Sequence, residues 1–299
     1  MVIVELVVIN GLTLKHSSLI VLMFEYMICP MYHMQVDSSV PFLDFKDVTI
    51  IKDGITILDS LSITITKDAN VVILGPNGSG KSTFIKLIMR EYYPAITETP
   101  SVFRIWGRET WNAFELRSHF GIVSSELQHL FTNRKISGKE LLLSGFFSSI
   151  GIFFHQVTQE MENRALEVAS FLEITHLLDR PLSHMSSGEG RRLLIGRALI
   201  HRPQALILDE PTTSLDLHAQ HILRHFMRKI AQSGLQIILV THQIHDIIPE
   251  INQVLMLKNG RFFQHGNKEE ILTDENVGNL FSVPVHIRQD GEYYYATGY

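Results

Sequence analysis

The sequence has very little cysteine and no concentrated charge. Cys29 is the only cysteine in 299 residues, which excludes an internal disulfide framework and is typical of a reducing compartment. The formal net charge is −5 without a block of like charges, so we expect no nucleic-acid partner. Hydrophobic residues make up 45% of the chain, which excludes a disordered protein and predicts a sizeable core.

The sequence also lacks a long uncharged apolar run. Residues 1–40 are apolar, but Glu5, Lys15 and Glu25 interrupt them before the ~20 residues that a membrane-spanning helix needs. They have no basic N-terminal region of the kind that a secretory signal carries. We interpret this segment as an N-terminal extension, or as a start codon placed too early with Met34 as the true start. A membrane-surface anchor is the alternative.

From residue 41 onward the pattern changes to alternating strands and helices. Apolar residues alternate in "FLDFKDVTII" and "ITILDSLSITIT", which predicts two half-buried antiparallel strands. The runs "VVILG", "ALILDE" and "QIILVTH" are continuously apolar, which is typical of parallel strands buried on both faces. Helical patterns occupy 80–90, 187–201 and 217–231, and residues 126–185 contain no such strand and are predicted to be mostly helical.

The first buried strand is followed directly by a phosphate-binding pattern. The segment from Gly75 to Ser82 fits G-x-x-x-x-G-K-S/T, between a strand and a helix. Its glycines let the backbone approach a polyphosphate, and its N–H groups face the anion. Lys81 supplies a point charge to the phosphates, Ser82 a hydroxyl ligand for Mg²⁺, and Thr83 a contact to the α-phosphate. The predicted nucleotide-binding residues here are Gly75, Pro76, Asn77, Gly78, Ser79, Gly80, Lys81, Ser82 and Thr83.

The other two buried strands end in groups that suit phosphate hydrolysis. Asp209 is predicted to hold Mg²⁺, and Glu210, which points differently, to polarise the attacking water. His242 ends the third strand, where its imidazole can reach the γ-phosphate. Because the carboxyl ends of parallel strands share one edge of a sheet, we expect these groups to meet the phosphate loop.

The segment "HMSSGEGRRLLIGRAL" resembles the signature sequence of ATP-binding cassette (ABC) ATPases, usually written LSGGQ, with Met185-Ser186-Ser187-Gly188-Glu189 in its place. The order of phosphate loop, glutamine loop, signature, Asp-Glu pair, "SLD" loop at 214–216 and switch histidine also matches the family, over about residues 41–299. The resemblance implies an α/β fold: a P-loop NTPase with a mixed sheet core, an antiparallel β subdomain and an inserted helical subdomain at 126–185. It places the ATPase domain at 41–284 and a C-terminal tail at 285–299.

In the family the signature faces ATP on a partner cassette. The resemblance therefore implies that Ser186, Ser187, Gly188 and Glu189 complete the site of a second copy, and that Asp216 crosses between the two copies. ATP, with Mg²⁺ as cofactor, would join the dimer and hydrolysis would release it. The implied function is the ATPase subunit of an ABC transporter, on separate membrane permeases at the inner face of the cell membrane. A soluble regulatory or assembly ATPase of the same family is the alternative.

Three positions depart from the family pattern. Glu189 stands where the signature has glutamine, and Lys52 stands where an aromatic residue often stacks on adenine. The glutamine loop is ambiguous, because distance from Gly121 points to Ser125 whereas counting back from the next helix points to Gln128. Only Gln128 carries an amide for Mg²⁺ and the water, so we assign it as metal ligand and catalytic residue.

Two further clusters have alternative interpretations. The aromatic stretch at 145–154 is interpreted as subdomain core, and as an alternative as an apolar groove for a helix of a membrane partner. His218, His221 and His225 share one helix face, which we interpret as solvated and not as a metal site. The tail is expected to form a short helical pair and a closing hairpin, similar to importer-type cassettes for metal chelates, cobalamin or molybdate.

Overall fold

The computed structural model describes residues 8–9, 12–13, 40–96, 100–132, 134–152 and 155–298. The chain divides into two compact units at residues 1–38 and 39–299. In the first, strands β1 (Val8–Ile9) and β2 (Leu12–Thr13) pair antiparallel. The predictions of an extension or anchor at 1–40 otherwise fall on residues outside the described ranges.

The unit at 39–299 alternates strands with helices. Its strands are β3 (Leu43–Lys52), β4 (Ile55–Ile65), β5 (Val71–Leu74), β6 (Val102–Ile105), β7 (Phe120–Val123), β8 (Ala205–Asp209), β9 (Gln236–Thr241), β10 (Gln253–Lys258), β11 (Arg261–Asn267), β12 (His286–Asp290) and β13 (Tyr293–Thr297). Its helices are α1 (Lys81–Ile88), α2 (Ala113–His119), α3 (Ser125–Thr132), α4 (Gly138–Ser144), α5 (Gln159–Phe171), α6 (Ser187–Leu199), α7 (Leu217–Gln232), α8 (Lys268–Ile271) and α9 (Asp274–Phe281).

Two sheets form the centre of this unit. A six-stranded sheet has the order β11-β10-β5-β9-β8-β7, parallel except for β11 at its edge. A three-stranded antiparallel sheet has the order β4-β3-β6. The mixed core and the antiparallel part are both confirmed. Because β9 lies between β5 and β8, the residues that follow these three strands emerge side by side at one edge.

Burial explains why these segments form the sheet. All residues of β5 and β9 are buried, as the continuous apolar runs predicted for strands covered on both faces. The sequence analysis did not predict β7, β10 or β11. Strand β7 has only four residues, and β11 lies at the sheet edge with mostly exposed side chains, so neither produces a clear periodic signal.

The segment between β7 and β8 is mainly helical, as predicted for 126–185. Helix α4 begins with a capping box, in which the Ser137 side chain and the Glu140 side chain each bind the other's backbone N–H. In the aromatic stretch, Phe146 and Ile152 pack against the main core, whereas Ile150 is 36% exposed. The core interpretation therefore accounts for two of these side chains, and the alternative of a partner groove stays a prediction.

The C-terminal segment has the predicted pair of helices and a hairpin of β12 and β13. Val285 and Tyr294 of this hairpin region are buried in the same core as the central sheet. No helix among the described residues combines the length and the apolar content needed to cross a bilayer.

His201, just after α6, should make the fold sensitive to acid. Its Nε2 lies 3.2 Å from the Phe120 carbonyl and donates to it, while its buried Nδ1 has no hydrogen-bond partner among the described residues. Burial lowers the pKa of His201 from 6.5 to about 4, and the nearby charge of Arg197 acts in the same direction. The folded protein thus binds this proton more weakly than the unfolded chain, and stability is lost as the pH falls through this interval.

We predict that His201→Gln reduces the acid-induced loss of stability. A glutamine amide can still donate to Phe120 but takes up no proton. Between about pH 7.5 and about pH 4.5, the free energy of unfolding should fall by about 1–2 kcal/mol less in the variant than in the parent. In a thermal-shift assay, the fall in Tm should be roughly 2–8 °C smaller for the variant. His176→Gln changes an exposed histidine and serves as the control. Equal acid losses in the parent and His201→Gln would contradict the prediction.

Candidate functional site

The loop between β5 and α1 is built around glycines that no other residue can replace without movement. A Cβ on Gly75 would come within 2.2 Å of the Leu257 carbonyl oxygen, and one on Gly80 within 2.7 Å of Leu58. Gly80 also has φ +107° directly before the first helical residue, in the left-handed region that favours glycine. The loop therefore lies tightly against β10 and β4, and it ends at the N-terminus of α1, which attracts anions.

Lys81 is buried at the base of this loop. Its Nζ donates to the Gly75 carbonyl at 2.8 Å and to the Pro76 carbonyl at 3.0 Å, and lies 3.9 Å from Glu210 Oε1. Burial lowers the pKa of Lys81, and the charges of Glu210 and Asp209 oppose that shift. The loop thus holds a lysine that is 6% exposed, whose ammonium group can bind an anion.

Asp209 is the last residue of β8 and lies in a poorly solvated position. Burial raises the pKa of its carboxyl to about 6; the negative charge of Glu210 adds to this and Lys81 opposes it. Arg191 of α6, which was not predicted from the sequence, is 2% exposed. Burial lowers the pKa of its guanidinium to about 10, and the negative charge of Asp209 opposes that shift. Its only sequence signal is an arginine among the leucines of a core-facing helix.

Glu210 has a backbone conformation that is uncommon for a residue with a Cβ. Its φ is +47°, a strained region that costs about 1–3 kcal/mol outside glycine. Its N–H donates to the Val240 carbonyl at 2.8 Å, and its Oε1 lies 3.1 Å from His242 Nδ1. Thr213 Oγ1 donates to its Oε2 at 3.3 Å. The structure therefore brings Lys81, Glu210 and His242 together, as the strand order requires.

A buried carboxylate fixes the segments on either side of this site. Asp246 is fully buried and accepts hydrogen bonds from Thr212 Oγ1 at 2.7 Å and from Thr241 Oγ1 at 2.6 Å. These threonines follow Glu210 and precede His242. This network was not predictable from the sequence, because an aspartate four residues beyond His242 has no distinguishing pattern in the chain. The network holds the glutamate and the histidine at a fixed separation.

The signature residues form the N-terminus of α6. Ser186 caps the helix, accepting from the Glu189 N–H at 3.2 Å, while Glu189 Oε2 accepts from the Ser186 N–H at 2.8 Å. Glu189 also pairs with Arg180 at 2.9 Å. Burial alone would raise the pKa of Glu189, but its bonds from Ser186 and Arg180 outweigh burial and lower it. The carboxylate at the usual glutamine position is thus part of a capping box.

The signature also lies against the first turn of α7, which directly follows the loop at 214–216. A Cβ on Gly188 would lie 2.9 Å from Ala219 Cβ in the first turn of α7. Asp216 caps that helix, accepting from the Ala219 N–H at 2.8 Å. The N-termini of α6 and α7 therefore lie together.

Gln128 lies within α3 and its amide points to the signature. Its Nε2 donates to the Ser187 carbonyl at 3.3 Å. Ser125 is the first residue of α3, one residue removed from the end of β7. The choice between Gln128 and Ser125 stays a prediction. At the position expected for adenine, Lys52 Nζ lies 5.9 Å from the centre of the Tyr92 ring.

The residues at the sheet edge fit a hard cation that is bound mainly by the substrate. Asp209 offers a carboxylate and Ser82 a hydroxyl at the start of α1, both oxygen ligands of the kind that Mg²⁺ prefers. Within the described residues no group of three or more His, Cys, Asp or Glu side chains could hold a metal by itself. His218, His221 and His225 are all exposed on α7.

Comparisons with known proteins agree with this geometry. The profile of the ABC transporter family matches residues 58–213. A putative ABC transporter ATP-binding protein of Streptococcus mutans serotype c is 32% identical over 247 residues, 82% of this chain and 94% of that protein. An ATP-binding cassette of an ABC transporter in its ADP conformation aligns with a TM-score of 0.68 and 23% identity, over 81% of this chain and 98% of that one. A dimeric cassette bound to ADP and Pi in a post-hydrolysis state aligns with a TM-score of 0.60 and 24% identity, over 75% of this chain and 98% of that one.

We predict that Asp209→Asn stabilises the protein when nucleotide and metal are absent. The folded state binds the Asp209 proton more tightly than the unfolded chain, so ionisation above its folded pKa of about 6 costs stability. With a chelator at about pH 7.5, the free energy of unfolding of the variant should exceed that of the parent by about 1–2 kcal/mol. In a thermal-shift assay this corresponds to a Tm that is roughly 2–8 °C higher. The gain should shrink at about pH 5, where the carboxyl is mostly protonated. Asp179→Asn, at an exposed site, is the control, and an equal gain at both pH values would contradict this explanation.

Proposed function

The chain belongs to the ABC transporter family as an ATP-binding, ATP-hydrolysing subunit, and from this premise we propose that it works as one half of a head-to-tail homodimer on separate membrane permeases. One observation carries the assignment of the catalytic site. Lys81, Glu210 and His242 converge at the ends of three adjacent strands, with Nζ 3.9 Å and Nδ1 3.1 Å from the same carboxylate oxygen.

The phosphate loop binds ATP through groups that are already in position. The N-terminus of α1, which begins at Lys81, and the loop N–H groups that have no backbone partner among the described residues are the donors available to the phosphates. Lys81 exchanges its two carbonyl partners for phosphate oxygens, which relieves the cost of burying its charge. Because tight packing fixes the loop before ATP arrives, little ordering is needed on binding.

Glu210 acts on the attacking water and His242 orients it. His242 Nδ1 lies 3.1 Å from Glu210 Oε1. With the imidazole protonated on both nitrogens, Nδ1–H donates to this carboxylate oxygen and Nε2–H donates to the γ-phosphate. Thr213 fixes the other carboxylate oxygen, so the carboxylate plane cannot rotate freely. The strained backbone of Glu210 is consistent with a position selected for chemistry at the cost of local stability.

Mg²⁺ is the metal that the donor set suits, held by Ser82, Asp209 and, in our assignment, Gln128. When bound it neutralises charge on the β- and γ-phosphates. Asp209 would then be ionised, because a bound cation opposes the burial that raises the pKa of its carboxyl.

The dimer explains why the signature is built as it is. Ser186 begins a helix of 13 residues whose N-terminal dipole attracts an anion, and its own N–H is already satisfied by Glu189. The remaining N–H groups of the first turn, including those of Ser187 and Gly188, can then bind the γ-phosphate on a second copy. Gly188 lies against Ala219, and Asp216 caps the helix that contains Ala219, so Asp216 is close to the signature. In the proposed dimer, Asp216 would cross between the two copies. The dimeric post-hydrolysis cassette supports this arrangement.

We assign the permease contact to the aromatic stretch within the helical segment. Ile150 is 36% exposed there, beside Phe146 and Ile152, which are anchored in the core. An exposed apolar side chain between anchored neighbours can contact the apolar face of an amphipathic helix from a membrane protein. The chain would accordingly lie on the inner face of the cell membrane.

We predict that Glu210→Gln separates ATP binding from hydrolysis. The amide cannot accept a proton from water, so the ATPase rate should fall by about 100-fold or more, while ATP affinity in calorimetry is retained. The stalled variant should elute as a dimer with Mg-ATP in size exclusion coupled to light scattering. Lys81→Ala removes the ammonium group that binds the phosphates, so this variant should bind ATP more weakly and stay monomeric. A Glu210→Gln protein that remains monomeric at saturating ATP would contradict the head-to-tail dimer.

We predict that the tagged protein retains a polytopic membrane protein from detergent-solubilised membranes of its own cells. Ile150→Glu places a charge on the proposed contact and should reduce that capture several-fold by quantitative mass spectrometry. Leu166→Glu alters a residue of α5 that is 49% exposed and should leave the capture unchanged. Capture of soluble proteins alone, or equal losses in the two variants, would count against this permease contact.

A further inference from the structure

A cavity lies between α7 and the C-terminal hairpin, and its lining includes no residue of the phosphate loop. Its volume is about 410 Å³, and it is lined by His221, Arg224, His225, Arg228, Tyr293 and Tyr295. The four residues of α7 are spaced at i, i+3, i+4 and i+7, so they share one helix face. The two tyrosines alternate along β13 and share one face of that strand. A volume of this size suits a small molecule.

The two arginines of the wall differ in what they bind. Arg228 is engaged by carboxylates: its Nε donates to Glu250 at 2.9 and 3.2 Å, and its Nη2 to Glu292 at 3.0 Å. Arg224 donates to the His245 carbonyl at 2.9 Å and lies 5.7 Å from the centre of the Tyr293 ring. In the part of the chain that the structure describes, Arg224 makes no ion pair with a carboxylate. Its guanidinium therefore keeps donors and a charge for another acceptor.

The wall as a whole offers more donors than acceptors. Each histidine donates at least one N–H, each tyrosine an O–H, and Arg224 has donors beyond the one used for His245. The carboxylates near the wall, Glu250 and Glu292, are already bound to Arg228. A ligand that complements such a wall must be rich in acceptors and carry negative charge.

We propose that this cavity binds a small oxyanion, of the phosphate or carboxylate type, and that its occupancy changes the ATPase rate. Only the second half of this statement rests on the proposed function. Arg224 is the anchor, with His221 and His225 beside it and the tyrosines closing the opposite side.

The coupling follows from what Arg224 holds. Its bond to the His245 carbonyl fixes a single turn at Ile244–Asp246, on which β13 also packs. In that turn Asp246 binds Thr212 and Thr241, which flank Glu210 and His242. An oxyanion that draws Arg224 toward the cavity would shift or tighten this turn, and with it the separation of the two catalytic groups.

Binding is tested with two probes, pyrophosphate and citrate, in calorimetry on the full chain. The Lys81→Ala background removes pyrophosphate binding at the phosphate loop, so any remaining heat reports on other sites. We expect at least one probe to bind with a single site, and Arg224→Gln to weaken it at least tenfold. His221→Gln should weaken it a few-fold, and His218→Gln, on the same helix but outside the cavity lining, should not change it.

The choice of probe identifies the chemistry, because preference for pyrophosphate indicates a phosphorylated ligand and preference for citrate a carboxylate. Absence of binding by both, or binding that Arg224→Gln leaves unchanged, would overturn the site.

Coupling is tested by measuring ATP hydrolysis with the probe that binds. ATP is kept in large excess over the probe so that it occupies the phosphate loop, and free Mg²⁺ is held constant. Under these conditions we expect the rate of the parent and of His218→Gln to change at least twofold when the probe saturates the cavity, and the rate of Arg224→Gln to stay constant. Binding of the probe without any change in the ATPase rate would overturn the proposed coupling, whereas the proposed binding site would still stand. A protein without ATPase activity would contradict the proposed function, while the calorimetric result would still decide the cavity.

Discussion

The pairing of β5, β9 and β8 is the constraint on which the remaining features of this protein depend. Parallel hydrogen bonding sets Leu74 beside Thr241 and Asp209 beside Val240, so the residues that follow each strand emerge within a few ångströms of one another. Lys81, His242 and Glu210 belong to segments far apart in the chain, and only this pairing brings them into contact. A shift of register by one residue would turn these proposed catalytic groups to the opposite face.

The site formed in this way is electrostatically costly. A lysine is buried beneath two carboxylates, burial raises the pKa of Asp209, and Glu210 has a strained backbone. A fully apolar edge of the sheet would be more stable, which is the usual relation between active sites and stability. The surrounding structure compensates through the buried network of Asp246 and through the tight packing of the phosphate loop on Leu257. In the proposed function, a polyphosphate would supply negative charge to Lys81 and a metal ion positive charge to the carboxylates.

Motifs of consecutive residues were predictable, and contacts between distant segments were not. The phosphate loop, the Asp-Glu pair and the signature each occupy a short stretch whose residue types have a direct physical reason. The role of Glu189 was not predictable, because its place in a capping box and its pair with Arg180 depend on how α6 begins. Arg191 and the cavity of Arg224 were missed for a related reason. Their environments come from β8 and β13, which are distant in the sequence.

Local patterns in the chain were enough to predict the class of fold and the chemistry of nucleotide binding. Continuous apolar runs specify strands buried on both faces, and a glycine-rich loop with lysine and serine suits a polyphosphate whatever surrounds it. Four features follow instead from long-range packing: the strand order, the bond between His242 and Glu210, the direction of the Gln128 amide and the donor-rich cavity under the C-terminal hairpin. These depend on contacts between residues far apart in the chain. Local pattern carries little information about such contacts, because many side chains can satisfy the same periodicity while differing in what they meet after folding.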